Sequence, residues 1–510
     1  MNNMVKMILG AAFAVAVAFY ANSIMGQETH GGFLVLAAVF GAYMAMNIGA
    51  NDVANNVGPA VGSGALTIGG AILIASIFEA SGALIAGGDV VGTIKKGIIS
   101  PDAFDNDPML FVYGMSAALL AAALWLNLAT WLKAPVSTTH SIVGGVLGGG
   151  IAAGGFAIVS WGTMGKIAAS WVISPVLGGV IAAIFLYIIK SQIIYKEDRI
   201  TAAKKIVPIL VALMSAAFIT YLTVKGLKKV WPVIVEILSF LPQTKKPAFS
   251  VALIFGAIGG LITLFIVKPK VAKKVIGLDG SRESINILFT IPLIFAAALL
   301  SFAHGANDVA NAVGPLAAVY DALSTTAVST KVAIPLWVMV VGGVGISVGL
   351  ALFGPRLIRT VGTEITELDQ MRAFSIMMAA AITVVIASQL GLPVSSTHIA
   401  VGAIFGVGFL REWLDNKEAG EKQEKLQQEV EKQHALKAAL AELQTVEEYR
   451  KQEALIKVQK KKVKSIKRSL RENYVKRGMV KKIVAAWVIT VPAAAVLSAI
   501  IFFIIKGVSA

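Results

Sequence analysis

Thirteen stretches of this chain are apolar almost without interruption: 4–25, 33–48, 65–87, 109–132, 140–159, 167–189, 206–224, 248–267, 286–303, 332–354, 373–390, 397–410 and 483–505. A helix needs about 20 apolar residues to cross the hydrocarbon of a bilayer. The pattern therefore predicts an all-α polytopic membrane protein with about 12 transmembrane helices, some of them short and interrupted. Composition agrees. Hydrophobic residues make up 56% of the 510 and charged residues 15%, where soluble domains carry about 25% charged. The apolar content excludes a disordered chain, and the lack of cysteine excludes a disulfide scaffold. The first run, from Met4-Val5-Lys6, is long and shows no clear small-residue cleavage site, so it reads as a retained helix.

Charge is segregated as sharply as hydrophobicity. Residues 411–482 hold 20 Lys+Arg and 12 Asp+Glu, so this insert alone supplies half of the net +16. The excess is thus no nucleic-acid signal; it marks the insert and the loops that set orientation. The insert is rich in the helix formers Glu, Lys, Gln, Ala and Leu. Partial apolar stripes run through Leu436, Leu440, Leu443 and Val446, and through Val463, Ile466 and Leu470. It reads as one or two amphipathic helices on the cytoplasmic face.

The oily body repeats itself. Gly49-Ala50-Asn51-Asp52-Val53-Ala54-Asn55-Asn56-Val57-Gly58-Pro59 returns as Gly305-Ala306-Asn307-Asp308-Val309-Ala310-Asn311-Ala312-Val313-Gly314-Pro315. Pro135-Val136-Ser137-Thr138-Thr139-His140 returns as Pro393-Val394-Ser395-Ser396-Thr397-His398. Lys166-Ile167-Ala168-Ala169-Ser170-Trp171 returns as Lys482-Ile483-Val484-Ala485-Ala486-Trp487, and Val91-Gly92-Thr93 has a faint echo in Val361-Gly362-Thr363. The offset jumps where the insert lies, so the insert is a loop addition to the second repeat. Its basic end, with Lys460, Lys461, Lys462, Lys464, Lys467, Arg468, Arg471, Lys476, Arg477, Lys481 and Lys482, belongs inside the cell. The last helix then runs outward. Its counterpart 167–189, followed by Lys190, Lys196, Arg199, Lys204 and Lys205, runs inward. Two homologous helices of opposite direction mean two inverted-topology repeats, with interrupted or re-entrant helices meeting at the midplane. The expected layout is 1–32, an N-terminal transmembrane helix and external loop; 33–190, repeat 1; 191–285, connecting helices and loops; 286–410, the first part of repeat 2; 411–482, the insert; and 483–510, the last transmembrane helix of repeat 2. One stretch resists this scheme. Lys225, Lys228, Lys229, Lys245 and Lys246 face outside in it, which points to a re-entrant or surface-lying segment over 225–246.

The repeated motifs carry the chemistry. An Asp inside an apolar span costs roughly 2.5–3.5 kcal/mol on insertion scales and so faces a cavity or a partner. Asp52 with Asn51 and Asn55, and Asp308 with Asn307 and Asn311, offer hard oxygen ligands for a small cation. Gly49, Gly58 and Pro59 are expected to break the helix and free further carbonyls. A single such Asp reads equally well as a helix cap; a second copy in the same Gly and Pro frame weighs against that. Pro followed by Ser/Thr and an apolar run reads as a helix N-terminus, whose N–H groups, hydroxyls and dipole favour an anion. A plain N-cap accounts for one hydroxyl, but poorly for three in a row, twice. His140 and His398 read as positioning or packing groups, since no second ligand stands at metal spacing. The motifs contain no cationic side chain, so an anion bound there needs a co-bound cation, a physical reason for symport.

These duplicated motifs resemble those of the inorganic phosphate transporter (PiT) family of secondary carriers, over roughly 33–190 and 286–506. The resemblance implies import of inorganic phosphate by symport with Na⁺ or H⁺, through alternating access, by a multi-pass homodimer in the inner or plasma membrane. It implies no enzymatic activity and no cofactor beyond the co-transported ion. Its site residues would be Ser137, Thr138, Thr139, Ser395, Ser396 and Thr397 with Asn51 and Asn307 around phosphate. Asp52, Asn55, Asp308 and Asn311 would hold the cation, Na⁺ being favoured at Asp52 and Asp308 because the shell is made of hard oxygens. Glu79, inside an apolar run, looks like the family's intramembrane glutamate. A proton-coupled phosphate or metal-phosphate permease is the nearest alternative. An anion channel or a membrane enzyme acting on phosphate esters fits less well, because the carboxylates lie in pseudo-symmetric pairs within interrupted spans.

Overall fold

The computed structural model describes residues 2–25, 30–104, 106–132, 136–228, 230–324, 334–364, 368–417, 419–442, 446–471 and 477–509. Of the residues singled out above, Pro135, Lys229, Leu443 and Lys476 lie outside these ranges. So do the side chains of Val446, Val361-Gly362-Thr363 and the basic run 467–484.

Eleven of the thirteen apolar runs fold as helices long and apolar enough to cross a bilayer. In chain order the elements begin with α1 (Asn3–Met25), α2 (Gly31–Gly62), α3 (Ile68–Ala86), the short α4 (Gly88–Lys96) and α5 (Pro108–Trp131). Then come α6 (Thr138–Gly154), α7 (Trp161–Ile189), α8 (Arg199–Gly226), α9 (Trp231–Ile237), α10 (Phe249–Lys274) and α11 (Arg282–Asn286). The chain continues through α12 (Thr290–Ser324), α13 (Leu336–Glu364), α14 (Gln370–Gln389), α15 (Ser396–Lys417), α16 (Ala419–Ala438), α17 (Val446–Arg471) and α18 (Arg477–Ser509). The two remaining runs become α6 and the first part of α15. Among the described residues no β-strand is formed, only an isolated bridge between Ile99 and Val159.

Two compact units result: Met1–Gly406 with Val480–Ala510, and Val407–Met479. In the first, outward faces carry Phe19, Leu73, Val176, Leu261, Phe265 and Ile500, while Asp52, Glu79 and Asp308 are fully enclosed. That inverts the soluble arrangement and suits lipid as the surrounding medium. Centrality differs among helices: 78% of the apolar window of α14 is buried, against 22% for α10. The second unit contains the antiparallel hairpin of α16 and α17. Gln459 donates to the Glu429 backbone carbonyl at 2.9 Å, and Gln452 to that of Leu436 at 2.9 Å. Glu429 is buried there, accepting from Gln459 at 2.7 Å and from Lys462 at 3.2 Å. Those two partners hold its carboxyl down to about 2.

The Asn-Asp motifs do not interrupt their helices, which corrects one expectation. The helix α2 runs through Gly49, Gly58 and Pro59, and α12 through Gly305 and Pro315. Gly49 and Gly305 serve close packing instead. A Cβ on Gly49 would lie 2.0 Å from the carbonyl oxygen of Ile346, and one on Gly305 would lie 2.1 Å from that of Glu79. Pro59 and Pro315 act more locally: lacking an N–H, each leaves the carbonyl four residues back, of Asn55 and Asn311, without its helical donor.

Helix pairs cross between the two halves of the sequence. Residues 46 and 49 of α2 meet 349 and 346 of α13, while 302 and 305 of α12 meet 82 and 79 of α3. Both pairs are antiparallel. Gly144 and Gly148 of α6 meet Val491 and Ala495 of α18, and Pro175 and Gly179 of α7 meet Gly402 and Gly406 of α15. Both of these pairs are parallel. The segment 225–246 ends α8, forms the short α9 and turns back, pinned by a small cluster of Trp231, Val235, Leu241 and Val251. It is a capping segment, not a further span.

Candidate functional site

The site lies where the middles of α2 and α12 meet the N-termini of α6 and α15. Ser137 caps α6 by accepting from the His140 N–H at 3.1 Å, and Ser395 does the same for His398 at 3.2 Å. For these first hydroxyls the plain cap is the structural role. The next hydroxyls reach across. Thr138 Oγ1 lies 2.9 Å from Asp52 Oδ2 and 3.2 Å from Asp308 Oδ2. Thr397 Oγ1 donates to Asp52 Oδ1 at 3.1 Å and accepts from Asn55 at 2.9 Å. Ser396 Oγ stands 3.5 Å from Asp308 Oδ2, and Thr139 donates to the Val394 carbonyl at 2.8 Å. Asn311 donates to Thr139 at 3.1 Å. All twelve motif side chains come together, and only Asn55 is partly exposed.

Asn51 and Asn307 also tie the approaching chain to the site. Asn51 donates to the Val136 carbonyl at 3.2 Å and to Asp52 at 2.8 Å. Asn307 donates to the Leu392 carbonyl at 3.1 Å and accepts from the Val394 N–H at 3.2 Å. Each amide fastens the chain just ahead of a short helix, and so aims its N-terminus at the carboxylates. The helical breaks are therefore before α6 and α15, where Gly391 takes φ +67° in the turn that leads to Pro393.

One central residue was not singled out from sequence. His304 is fully buried, with Nε2 at 3.2 Å from Asp308 and 3.5 Å from Asp52, and Nδ1 at 3.2 Å from Glu79. Asp52, His304 and Asp308 each bring one ligand atom within 4.8 Å of the others. Glu79 accepts from Asn56 at 2.8 Å. The signal was hidden by asymmetry: position 304 corresponds to Ile48 in the first copy, and Asn56 to Ala312. His140 and His398 pack as expected, their rings 4.4 Å apart, with Trp171 and Trp487 against them.

Two carboxylates sharing one hydroxyl in an enclosed site repel unless a positive charge or a proton lies between them. Among the described residues, Asp308 Oδ1 and Asn311 Oδ1 are buried acceptors with no hydrogen-bond donor. Buried acceptors are costly to leave unmatched, and hard oxygens of this kind are cation ligands. The first-turn N–H groups of α6 and α15 beyond the capped ones complement this with donors for an anion. The arrangement can hold an oxyanion and small cations side by side.

Comparison with known proteins agrees. The sequence pattern of the Phosphate transporter family matches residues 48–498. Several relatives carry the name "Putative phosphate permease". The one from Helicobacter pylori strain J99 is 50% identical over 518 residues, covering 98% of this chain and 94% of the relative. The one from Chlamydia trachomatis serovar D is 40% identical over 390 residues, covering 74% and 90%. A solved structure titled "The sodium-dependent phosphate transporter" superposes with a TM-score of 0.74 at 33% identity, covering 94% of this chain and all of that one. These are carriers and not enzymes, and this multi-pass membrane chain belongs to the phosphate transporter family.

Proposed function

We propose that the chain imports inorganic phosphate by symport with Na⁺, the ions moving through a central site that is exposed to one side of the membrane at a time. The observation that carries this reading is Thr138 Oγ1 shared between Asp52 and Asp308 at 2.9 and 3.2 Å, where two short-helix N-termini converge. Asp52, Asp308, Asn311 and Asn55 supply oxygens for the cation. Thr138, Thr139, Ser396 and Thr397, with the first-turn N–H groups they belong to, receive phosphate. Asn51, Asn307, Ser137 and Ser395 position that cradle. A site in which enough cations offset phosphate and the two carboxylates crosses cheaply; a half-loaded one does not. The parallel pairs α6–α18 and α7–α15 support inverted repeats, because α6 and α7 are successive helices while α15 and α18 are their sequence counterparts. The insert's basic end supports a cytoplasmic position for it. Assembly as a homodimer in the plasma membrane rests on the family resemblance.

A second reading, coupling to H⁺, is favoured by His304, which stands between Glu79 and the two aspartates. Purified protein in proteoliposomes, given Na⁺ and pH gradients separately, decides. Phosphate uptake driven by the Na⁺ gradient alone is expected; uptake driven only by the pH gradient moves the assignment to H⁺. Absence of uptake under either gradient would reject symport. Phosphate at neutral pH still carries a proton to donate to a carboxylate and sulfate has none, so sulfate is expected to compete weakly. Equal competition contradicts the carboxylates' part in selecting the anion.

A further inference from the structure

The 225–246 segment that defied the orientation rule lines a cavity of about 690 Å³ beside α4 and the start of α13. Its polar wall is made of Lys225, Lys228, Lys245, Lys246, Thr244 and Asp89. Four lysines thus line it against one aspartate. Asp89 takes Lys225, which is buried, and also Lys228 at 3.0 Å. Lys245 and Lys246 are exposed and, among the described residues, make no ion pair. The wall is held in shape. Trp231 donates to Thr244 Oγ1 at 3.2 Å, Thr244 donates to the Lys246 carbonyl at 2.7 Å, and Gln243 donates to the Val235 carbonyl at 2.9 Å.

Placement gives the cavity a purpose. Lys225 Nζ reaches the Ser388 carbonyl at 3.4 Å, and Ser388 Oγ accepts from Asn307 at 3.0 Å. Thr93 of α4 donates to the Gly391 carbonyl at 2.6 Å. One lining residue, Lys225, therefore touches Ser388, where the chain 388–394 sets out toward the N-terminus of α15 in the central site. Because α7 runs alongside α15, the end of α7 lies toward Gly406, and α8 runs back from there to Lys225 at the opposite end. Lysines are disfavoured on the outer side of a membrane protein, so four in one mouth call for a reason.

We propose that this cavity is a second, outer binding site for a phosphate-type oxyanion, which Lys245 and Lys246 draw in and Lys225 and Lys228 pass toward α15. The inference rests on the transport reading for its purpose, not for the binding itself. A low-dielectric mouth of one charge sign concentrates counter-ions and speeds their capture, and the effect weakens with ionic strength. The oxyanion is either free phosphate or the phosphate of a lipid headgroup, and the test separates the two.

The double variant Lys245→Gln/Lys246→Gln leaves the Asp89 pairs and the central site intact. In proteoliposomes of neutral lipid at low ionic strength, its KM for phosphate should rise roughly fivefold or more with Vmax unchanged. The rise should shrink in high salt, and Lys245→Arg/Lys246→Arg should restore the wild-type KM. An unchanged KM at low ionic strength overturns the proposal. A readout independent of transport is acylation of Lys245 and Lys246 by a neutral reagent, followed by mass spectrometry. Inorganic phosphate should slow it more than chloride of equal ionic strength; no difference, in neutral lipid and with phosphatidylglycerol alike, overturns the site. Protection by phosphatidylglycerol but not by free phosphate assigns the cavity to headgroups and overturns recruitment. If the wild type takes up no phosphate, the symport reading fails, while the acylation rates still decide the cavity.

Discussion

Thr138 does more at the centre than any other single hydroxyl, because its one proton stands within reach of carboxylates from both halves and can serve either. Hydrogen bonds to charged groups are worth about 1.5–3 kcal/mol each. Thr138→Val is therefore expected to lower phosphate uptake at least tenfold, with Thr138→Ser close to wild type. A valine variant transporting normally would remove the hydroxyl from the mechanism. Asp52→Asn and Asp308→Asn keep the shape of the site but lose its charge. Each should abolish ion-coupled uptake while the purified protein still elutes as a single folded species. Wild-type rates in both would end their assignment as cation ligands. Much of this cluster was legible from the duplicated motifs, since an Asp in an oily span needs a partner. His304 was not, because sequence repetition draws attention to what recurs, and its counterpart is Ile48. Glu79 was legible only as an isolated acid; its partners Asn56 and His304 are contributed by packing of α2 and α12 against α3.

At the scale of elements, the apolar runs mark their helices, and Pro-Val-Ser marks the starts of the two short ones. The glycines of the Asn-Asp motifs, in contrast, do not break their helices. Glycine signals either a bend or a close approach, and only the neighbouring helix decides which. Here Ile346 and Glu79 present carbonyls at 2.0 and 2.1 Å from where a Cβ would stand. Gly49→Leu and Gly305→Leu are thus expected to force α2 from α13 and α12 from α3. Overpacking of this kind costs typically 1–3 kcal/mol, occasionally more. Thermal unfolding in detergent should show a clearly lowered Tm for both. Gly165→Ala, in α7 where no atom lies within 4 Å, should be neutral or mildly stabilising. A Gly49→Leu protein as stable as the parent would disprove the packing account.

At the scale of the whole molecule, the charged hairpin of α16 and α17 closes on itself through Glu429, Gln459 and Lys462. Replacing residues 419–471 by a short Gly-Ser linker should leave phosphate uptake within about twofold, since loop-closure cost varies slowly with length. A tenfold fall would instead make the hairpin part of the transport cycle. The crossed pairing of helices has a consequence for how the chain is made. The glycine face of α6 near Gly148 is completed by Ala495 of α18, which is synthesised almost 350 residues later. At about 5–20 residues per second, α6 waits in the membrane for roughly 20–70 s with that groove unfilled. During that interval the nascent first half is a natural client for membrane chaperones and proteases. A ribosome stalled before α18 should therefore leave a product that is degraded rapidly, however complete its transport motifs.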